Sequence, residues 1–207
     1  SIRPQPQPGE PVLRWNWDTP LYMSPNDPKI IYAASNKLFR SANRGLTWES
    51  VGADLTANAN RDDVVTMGVK GSDITIAKND GIVAWPTIIS VGESIKRPGL
   101  LYAGSDDGNV QVSRDTGRSW TNVTDKVVAA GLPKGIWISK VAPSRFDEGT
   151  VYLTADGHRS NDFETHIFVS RDFGQTWQSA AANLKGESVK TLTEDQRNPD
   201  VLYVGTE

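Results

Sequence analysis

One loop of this sequence gathers the residue types that can do chemistry. The stretch ADGHRSNDFETH at 155–166 contains both histidines of the chain, and its candidate ligand-binding residues are Asp156, His158, Arg159, Asn161 and Asp162. Other candidates border apolar runs, and they are Asp106, Asp107, Asn109, Lys78, Asn79 and Asp80. Short polar side chains of this kind most often cap strand ends and turns. Ligand binding by the combined cluster is the second interpretation, and catalysis is the third.

Glycoside hydrolysis is the catalysis that these carboxylates would suit. It requires two carboxyl groups roughly 5 to 10 Å apart across a sugar cleft. Asp80, Asp107 and Asp162 could supply them from neighbouring parts of the chain. Neither a Ser-His-Asp order nor a glycine-rich phosphate loop occurs, so other common hydrolytic or nucleotide chemistries are not indicated.

The same residues do not form a metal-ligand pattern. His158 and His166 are eight residues apart in a polar loop, and no ligand spacing recurs elsewhere. Asp106 and Asp107 could hold Ca²⁺, but an Asp-Asp-Gly sequence is more typical of a turn. We therefore predict neither a metal nor a cofactor.

An eight-residue phrase occurs three times, as SANRGLTW at 41–48, SRDTGRSW at 113–120 and SRDFGQTW at 170–177. Serine and aspartate can bind backbone N–H groups across a turn, glycine adopts a left-handed conformation, and tryptophan packs between sheets. The residues assigned these structural roles are Ser41, Asn43, Gly45, Trp48, Ser113, Asp115, Gly117, Trp120, Ser170, Asp172, Gly174 and Trp177. Asn43 replaces the aspartate in the first copy, which a turn tolerates and an acid or base catalyst would not.

A second repeat sets the period of the fold. Four apolar runs carry Tyr32, Tyr102, Tyr152 and Tyr203, with successive spacings of 70, 50 and 51 residues. Each repeat contains four short β-rich runs separated by turn residues, which is typical of four-stranded propeller blades. The second run of each repeat is almost wholly apolar, as expected for a strand covered on both faces. The sequence therefore predicts an all-β propeller of antiparallel blades with strands A to D.

The predicted organisation is a Pro-rich linker at 1–11 followed by a partial propeller at 12–207. Three blades are expected at 12–51, 80–125 and 134–182, with half a blade at 187–207 and an inserted connection, bearing a short hairpin or cap, at 52–79. About 3.5 blades leave sheet edges open. We therefore expect further blades from the same or another chain.

The repeated phrase S-x-D-x-G-x-[ST]-W resembles the Asp-box, or BNR repeat, located between strands C and D of a blade. Longer strings such as LFRSANRGLTW and LYAGSDDGNVQVSRD resemble bacterial propellers labelled sortilin-like or BNR-repeat glycosyl hydrolase. This resemblance implies a scaffold or interaction module with a protein or glycan partner, and xyloglucanase-like hydrolysis is the alternative. Sialidase activity is not expected, because the variable loops offer only Arg61 and Arg159 for a substrate carboxylate.

Loop lengths differ between the two faces of the predicted disc. The spacing from box serine to box tryptophan is 7 in all three copies, whereas the spacing from repeat tyrosine to box serine is 9, 11 and 18. Length variation therefore falls on the face that carries the B–C and D–A connections. In repeat proteins such a face is often the binding surface.

Composition excludes several partners. The net charge of −3 and the scattered Lys and Arg residues provide no basic stripe for nucleic acid. No apolar run approaches the roughly 20 residues of a membrane-spanning helix. The chain contains no cysteine, so disulfides and thiol catalysis are excluded. From the resemblance we expect a periplasmic or extracellular location within a larger complex.

Overall fold

Short antiparallel sheets follow one another along the chain. The computed structural model describes residues 3–6, 8–66, 68–76 and 84–207. Within these residues there are three four-stranded sheets, one two-stranded sheet and one separate hairpin. In each four-stranded sheet the strands are hydrogen-bonded in the order in which they occur in the sequence. The predicted all-β fold of four-stranded antiparallel sheets is therefore confirmed.

The strand bounds show the repeat directly. The first sheet contains β1 (Leu21–Met23), β2 (Ile31–Ala34), β3 (Leu38–Ser41) and β4 (Glu49–Ser50). A hairpin of β5 (Val65–Thr66) and β6 (Val69–Lys70) follows it. The second sheet contains β7 (Ile88–Glu93), β8 (Leu101–Ser105), β9 (Val110–Ser113) and β10 (Thr121–Asn122). The third contains β11 (Trp137–Pro143), β12 (Val151–Asp156), β13 (His166–Ser170) and β14 (Gln178–Ser179). The two-stranded sheet pairs β15 (Val189–Glu194) with β16 (Leu202–Thr206).

Helical structure is sparse in the described residues. It consists of α1 (Thr124–Ala129) and three 3₁₀ turns at Arg61–Asp63, Gly71–Asp73 and His158–Ser160. No helix in the described part of the chain has the length and apolar character that crossing a membrane requires. The hairpin β5–β6 lies in the connection where the sequence predicts one. The limits of the blades and of the connection stay predictions.

Apolar side chains join the sheets face to face. Tyr32 and Leu38 of the first sheet pack with Ile88 and Leu101 of the second in one buried cluster. A second cluster joins the second and third sheets, and a third joins β13 to β15. Full burial of each large apolar side chain contributes roughly 1.5 to 3 kcal/mol, so these clusters hold the sheets in a stack.

The repeated phrase forms the turn between the third and fourth strands of each four-stranded sheet. In the second copy, Gly117 N donates to Ser113 Oγ at 2.8 Å, and Ser113 Oγ donates to Asp115 Oδ1 at 2.9 Å. Asp115 also accepts hydrogen bonds from Ser119 N at 2.9 Å and Ser119 Oγ at 2.6 Å. The third copy repeats these four contacts at 2.8, 2.8, 2.8 and 2.6 Å. One serine and one aspartate therefore close the turn.

Asn43 reproduces this geometry without a charge. Its Oδ1 accepts from Ser41 Oγ and from Thr47 N, both at 2.9 Å. Its Nδ2 donates to Thr47 Oγ1 at 2.9 Å, which reverses the direction of the last hydrogen bond. The turn thus needs at this position one oxygen that accepts two hydrogen bonds, and it does not need a negative charge.

The two ends of the sheets form different surfaces. We call the turns formed by the repeated phrase the box turns. In each four-stranded sheet the box turn donates a backbone hydrogen bond to the turn between the first and second strands. These hydrogen bonds are Arg44 N to Lys29 O, Thr116 N to Gly99 O and Phe173 N to Gly149 O. We call this side the box face. The connections between second and third strands, at 35–37, 106–109 and 157–165, leave the sheets at the opposite ends, which we call the loop face.

The Pro-rich N-terminal segment contacts the first sheet. Pro4 and Leu13 are buried. The Trp15 ring stacks on Phe39 with centroids 6.0 Å apart, and Lys37 pairs with Glu10 at 3.6 Å. The segment therefore covers the side of the first sheet that faces away from the second.

Candidate ligand-binding site

A cavity of about 300 Å³ opens on the loop face, where the second and third sheets meet the N-terminal segment and the connection after the first sheet. Three tryptophans from separate segments line it, and we call it the aromatic cavity: Trp17, Trp85 and Trp137. Its polar lining includes Asn16, Asp18, Asp106, Asp156 and Arg159. Trp17 is 86% exposed, so most of its indole surface is accessible to a ligand. The arrangement is an indole-walled cleft with a few convergent polar groups.

Asp106 fixes two of the cavity segments to the second sheet. Its Oδ1 accepts from Thr87 N, and its Oδ2 accepts from Thr87 Oγ1, both at 2.7 Å. Asn16 Nδ2 donates to the same Oδ2 at 3.1 Å, which anchors the segment that carries Trp17. Asp106 is 5% exposed, and burial raises its pKa to about 6 against the opposing hydrogen bonds from Thr87. Asp106 therefore positions the cavity wall.

A second cavity of about 280 Å³ adjoins the first and shares Asp18, Trp137, Asp156 and Arg159 with it. Lys190 from β15 closes this second cavity, with Ile89 and Ser139 completing its wall. Ligand-accessible space on the loop face therefore continues from the aromatic cavity towards the two-stranded sheet.

Asp156 is an ionised carboxylate beneath the wall that both cavities share. It is 3% exposed, and it accepts from Lys190 Nζ at 2.6 Å and from His158 N at 3.1 Å. The His158 Nδ1 lies 2.7 Å from its Oδ1. Burial alone would raise the pKa of Asp156, but the hydrogen bonds from Lys190 and His158 outweigh it and lower the pKa. Lys190 therefore balances the charge of this carboxylate inside the protein.

Arg159 lies over the ring of Trp137. The guanidinium carbon is 4.0 Å from the ring centroid, and the nearest carboxylate oxygen in the described residues, Asp156 Oδ2, is 3.7 Å from Nη1.

The position of Trp137 follows from an irregularity in strand pairing. Strand β11 has a register shift between Trp137 and Lys140, and β7 and β15 have shifts at the corresponding ends. A bulge re-aims the side chains beside it, so this irregularity sets the position of Trp137 at the cavity.

Asp107 and Asn109 lie away from both cavities. Asp107 accepts from Ser105 Oγ and from Ala59 N, the latter at 3.3 Å. Asn109 Nδ2 donates to Leu55 O at 2.7 Å. Both side chains are buried, and they hold the connection after the first sheet against the second sheet. Their role in this structure is to fix the connection after the first sheet in position.

The remaining predicted residues of the 155–166 loop also have local roles. Asp162 accepts from Glu164 N at 2.9 Å, and its Oδ2 is 2.8 Å from His166 Nε2. Asn161 is exposed and ends the 3₁₀ turn in a left-handed conformation with φ of 59°. Lys78, Asn79 and Asp80 lie outside the described residues.

One group of side chains has the spacing of metal ligands. Single donor atoms of Asp156, His158 and Glu207 lie within 4.8 Å of one another. Lys190 Nζ lies 2.6 Å from Asp156 and 3.2 Å from Glu207, so an ammonium group already stands between the two carboxylates. A second cation there would be repelled, and we do not assign a metal to this group.

Several cavity residues escape prediction from the sequence. Trp17 and Asn16 belong to the string WNWD at 15–18, and Trp137 begins the third sheet. For Asn16 and Trp17 the available signal was the occurrence of two tryptophans within the four residues WNWD. In the structure Trp15 packs on Phe39, and Trp17 remains exposed to water. Lys190 carried no signal, since it is a single lysine at the start of β15.

Comparison with known proteins supports the fold. The model of the BNR/Asp-box repeat family matches residues 168–179, which include the third box. A GH74 xyloglucanase from Xanthomonas campestris matches with a TM-score of 0.59 and 21% identity over 90% of this chain and 26% of that chain. An ancestral GH74 enzyme matches with a TM-score of 0.61 and 17% identity over 96% of this chain and 23% of that one.

A structure of YCF48 bound to a D1 peptide is also similar, with a TM-score of 0.50 and 13% identity over 90% of this chain and 51% of that chain. Curated protein sequences give no significant match. The chain spans about a quarter of the two GH74 structures. It is a β-propeller segment that carries BNR/Asp-box turns, as the sequence predicts.

Proposed function

We propose that this chain is a binding module whose loop face holds a glycan. The observation that carries the proposal is the aromatic cavity, in which three indoles surround polar groups. Ligand sites are typically concave, with apolar and aromatic walls and a small number of placed polar groups, and have volumes of roughly 300 to 1,000 Å³. An indole is apolar on its face and can donate a hydrogen bond at its edge, which suits the mixed surface of a sugar ring.

The state of the carboxylates favours binding over catalysis. Both oxygens of Asp106 accept hydrogen bonds from the protein, and Asp156 is paired with Lys190 and His158. A catalytic acid must give its proton to the substrate, and a nucleophile needs an accessible oxygen. Of the three carboxylates proposed for catalysis from sequence, Asp107 and Asp162 are held in loops, and Asp80 is outside the described residues.

The test uses Trp17, because its exposure means that removal leaves the core intact. Wild type and Trp17→Ala are titrated by calorimetry against xyloglucan oligosaccharides, the substrate class named for the xyloglucanase of similar fold, and against a panel of other glycans. Since the indole supplies much of the contact area, we expect affinity for the bound glycan to fall about tenfold or more.

Leu46→Ala is the matched control, because Leu46 is 83% exposed and lies in the first box, on the opposite face. It should bind as wild type does. Absence of binding to every glycan, or equal affinity of wild type and Trp17→Ala, contradicts the proposal. Capture of a protein ligand alone would assign this face to a protein partner, the occupant that the YCF48 structure illustrates for that protein.

Glycoside hydrolysis is the second candidate, and one observation favours it. Asp106 and Asp156 line one cavity, and their pKa values are shifted in opposite directions. Such a pair matches the assignment of one acid and one ionised partner. If hydrolysis occurs, Asp106→Asn abolishes the release of reducing ends while Asp162→Asn retains it. Wild type that releases no reducing ends from any bound glycan eliminates this candidate.

A glycan ligand also bears on location. Structural polysaccharides lie outside the cytoplasm, so the proposal agrees with the expected periplasmic or extracellular location. Fractionation of the native host, with detection of the protein in each compartment, tests that expectation.

A further inference from the structure

Arg159, on the shared cavity wall, combines a fixed position with N–H donors that make no hydrogen bond within the described residues. It lines both cavities, and its side chain is 42% exposed. Within the described residues, no group accepts a hydrogen bond from its guanidinium, and its distance of 3.7 Å from Asp156 is too long for one. Its N–H donors therefore remain available to a ligand.

The indole of Trp137 holds this guanidinium in place. A guanidinium over an aromatic ring is attracted to the ring face, and it keeps its N–H donors at the edge of the stack. At 4.0 Å from the ring centroid, Arg159 is in close contact with Trp137. A pre-positioned guanidinium loses less freedom on binding than a mobile lysine would.

The surrounding charges leave Arg159 able to attract an anion. Asp156 lies 3.7 Å from Arg159, but its shorter contact, at 2.6 Å, is with Lys190, so Arg159 is not its main partner. Asp18 is exposed at the rim of both cavities, where water screens its charge. Glu207 shares the same Lys190 at 3.2 Å, and its side chain is 59% exposed, so water screens its charge. Asp106 also lines the aromatic cavity, but its two oxygens accept hydrogen bonds from Thr87 and Asn16. Within the described residues, no carboxylate other than Asp156 lies within 4.0 Å of Arg159.

We propose that the glycan bound at this site is acidic, and that Arg159 binds the carboxylate of a uronic acid residue. This inference rests on the proposed function, because it names the class of glycan for the same face. A planar guanidinium forms two parallel hydrogen bonds to a carboxylate, which gives both affinity and orientation. The sugar ring would then lie in the aromatic cavity, against Trp17 or Trp85, with its carboxylate at the shared wall.

The probes are oligogalacturonides and the same oligosaccharides after reduction of their carboxyl groups. The two differ in the carboxylate and retain the same linkage. We expect wild type to bind the acidic form about tenfold more tightly, which is the contribution of one strong ion pair, and to lose this preference as salt is raised. Arg159→Ala should abolish the preference, while Arg159→Lys should restore part of it.

Asp18→Asn should shift the preference for the acidic probe in the opposite direction to Arg159→Ala. At low salt, where screening is weakest, removing this carboxylate should strengthen binding of the acidic probe relative to the reduced probe. A role for Arg159 in folding alone would not produce this pattern, and melting curves of each variant establish that the fold is retained.

The outcomes separate the two proposals. If both probes bind equally and binding depends on Trp17, the glycan function stands and the carboxylate inference is overturned. Preference for the acidic probe that survives Arg159→Ala also overturns it. If neither probe binds and no glycan of the wider panel does, the proposed function fails and the inference falls with it. An acidic peptide that binds in place of glycans has the same consequence.

Discussion

The box face and the loop face of this molecule are built by opposite rules. On the box face, three turns have the same length, and their corresponding hydrogen bonds agree closely, from Ser41 to Ser170. On the loop face, each connection is bonded to a different part of the chain. Asp106 holds Asn16 and Thr87, Asn109 holds Leu55, and Asp156 holds Lys190.

This difference shows where sequence variation is tolerated. A box turn satisfies its polar groups within eight residues, so loss of its buried serine leaves its hydrogen-bond partners unpaired. The sheets are held together by apolar packing and do not depend on the hydrogen bonds of the loop face. The sequence of a loop there can therefore change together with the distant segment to which it is bonded. Binding residues are therefore expected where neighbouring blades bring such loops together.

The largest expected effect tests whether the box turns also join neighbouring sheets. Gly117 has a φ of +84°, and a Cβ there would lie 2.8 Å from the Cβ of Val51, the residue directly after β4 of the first sheet. Gly117→Ala adds left-handed strain to a clash between sheets, so we expect a loss of about 3 kcal/mol in the free energy of unfolding. Urea unfolding monitored by tryptophan fluorescence measures it.

Gly45→Ala is the matched control. Gly45 occupies the same box position with a φ of +85°. A Cβ added there would lie 3.5 Å from Trp48 Cζ2, which is an ordinary van der Waals contact. Backbone strain alone should cost about 1 kcal/mol there. Equal losses in the two variants would show that the turn acts only within its own sheet.

The second prediction concerns the loop face and its buried carboxylate. Because burial raises the pKa of Asp106 to about 6, the folded state favours its protonated form. The resulting stability is fully present below the unfolded pKa and is lost as pH rises through 6. Between pH 4 and 6 the free energy of unfolding should fall by about 3 kcal/mol at most, which corresponds to a shift of about two pKa units.

Asp106→Asn removes this titration. The difference in unfolding free energy between wild type and variant, measured in urea from pH 4 to 7, should decrease as pH rises. Wild type and variant share the carboxyls with lowered pKa, such as Asp54 and Asp156, so the contribution of those carboxyls cancels in the difference. A difference independent of pH would show that Asp106 is ionised throughout.

The smallest effect is expected for the box aspartate. Hydrogen bonds from Ser119 Oγ and N lower the pKa of Asp115 to about 2. Its contribution to stability is present above the unfolded pKa and is lost as pH falls towards 2. Asp115→Asn should therefore change the melting temperature little at pH 7, because Asn43 keeps the two acceptor contacts in the first box, and should reduce the sensitivity to acid.

The reverse change, Asn43→Asp, should increase that sensitivity. Melting temperatures of both variants at pH 7 and pH 3 provide the comparison. A large loss for Asp115→Asn at pH 7 would mean that the charge itself, rather than the acceptor geometry, holds the turn.

Sequence reasoning reached the fold because the signals are local and repeated. The box motif, the apolar second strand and the period of about fifty residues each depend on interactions within one sheet. Of the four repeat tyrosines, Tyr32 and Tyr102 are almost fully buried, Tyr152 is half-buried, and Tyr203 in β16 is 56% exposed. Burial of the second strand on both faces is therefore not found for β16. These features allowed the sheets to be predicted without knowledge of their neighbours.

The site was only partly predictable. Asp106, Asp156 and Arg159 line the cavities, whereas Asp107 and Asn109 are bonded to the connection after the first sheet. Adjacent residues of one loop thus face different parts of the molecule, and composition does not distinguish them. Trp17 and Lys190 come from segments far away in sequence, and only the stacking of the sheets places them beside Asp156.

The sequence by itself determined the repeating sheets and their corner turns, because strand formation and turn closure are satisfied by residues near one another in the chain. The tertiary structure alone decided which polar loop residues share a cavity, which carboxylates are paired, and which indole is left in water. Those outcomes depend on the register and packing between sheets, where the partners are tens of residues apart and no short motif specifies them.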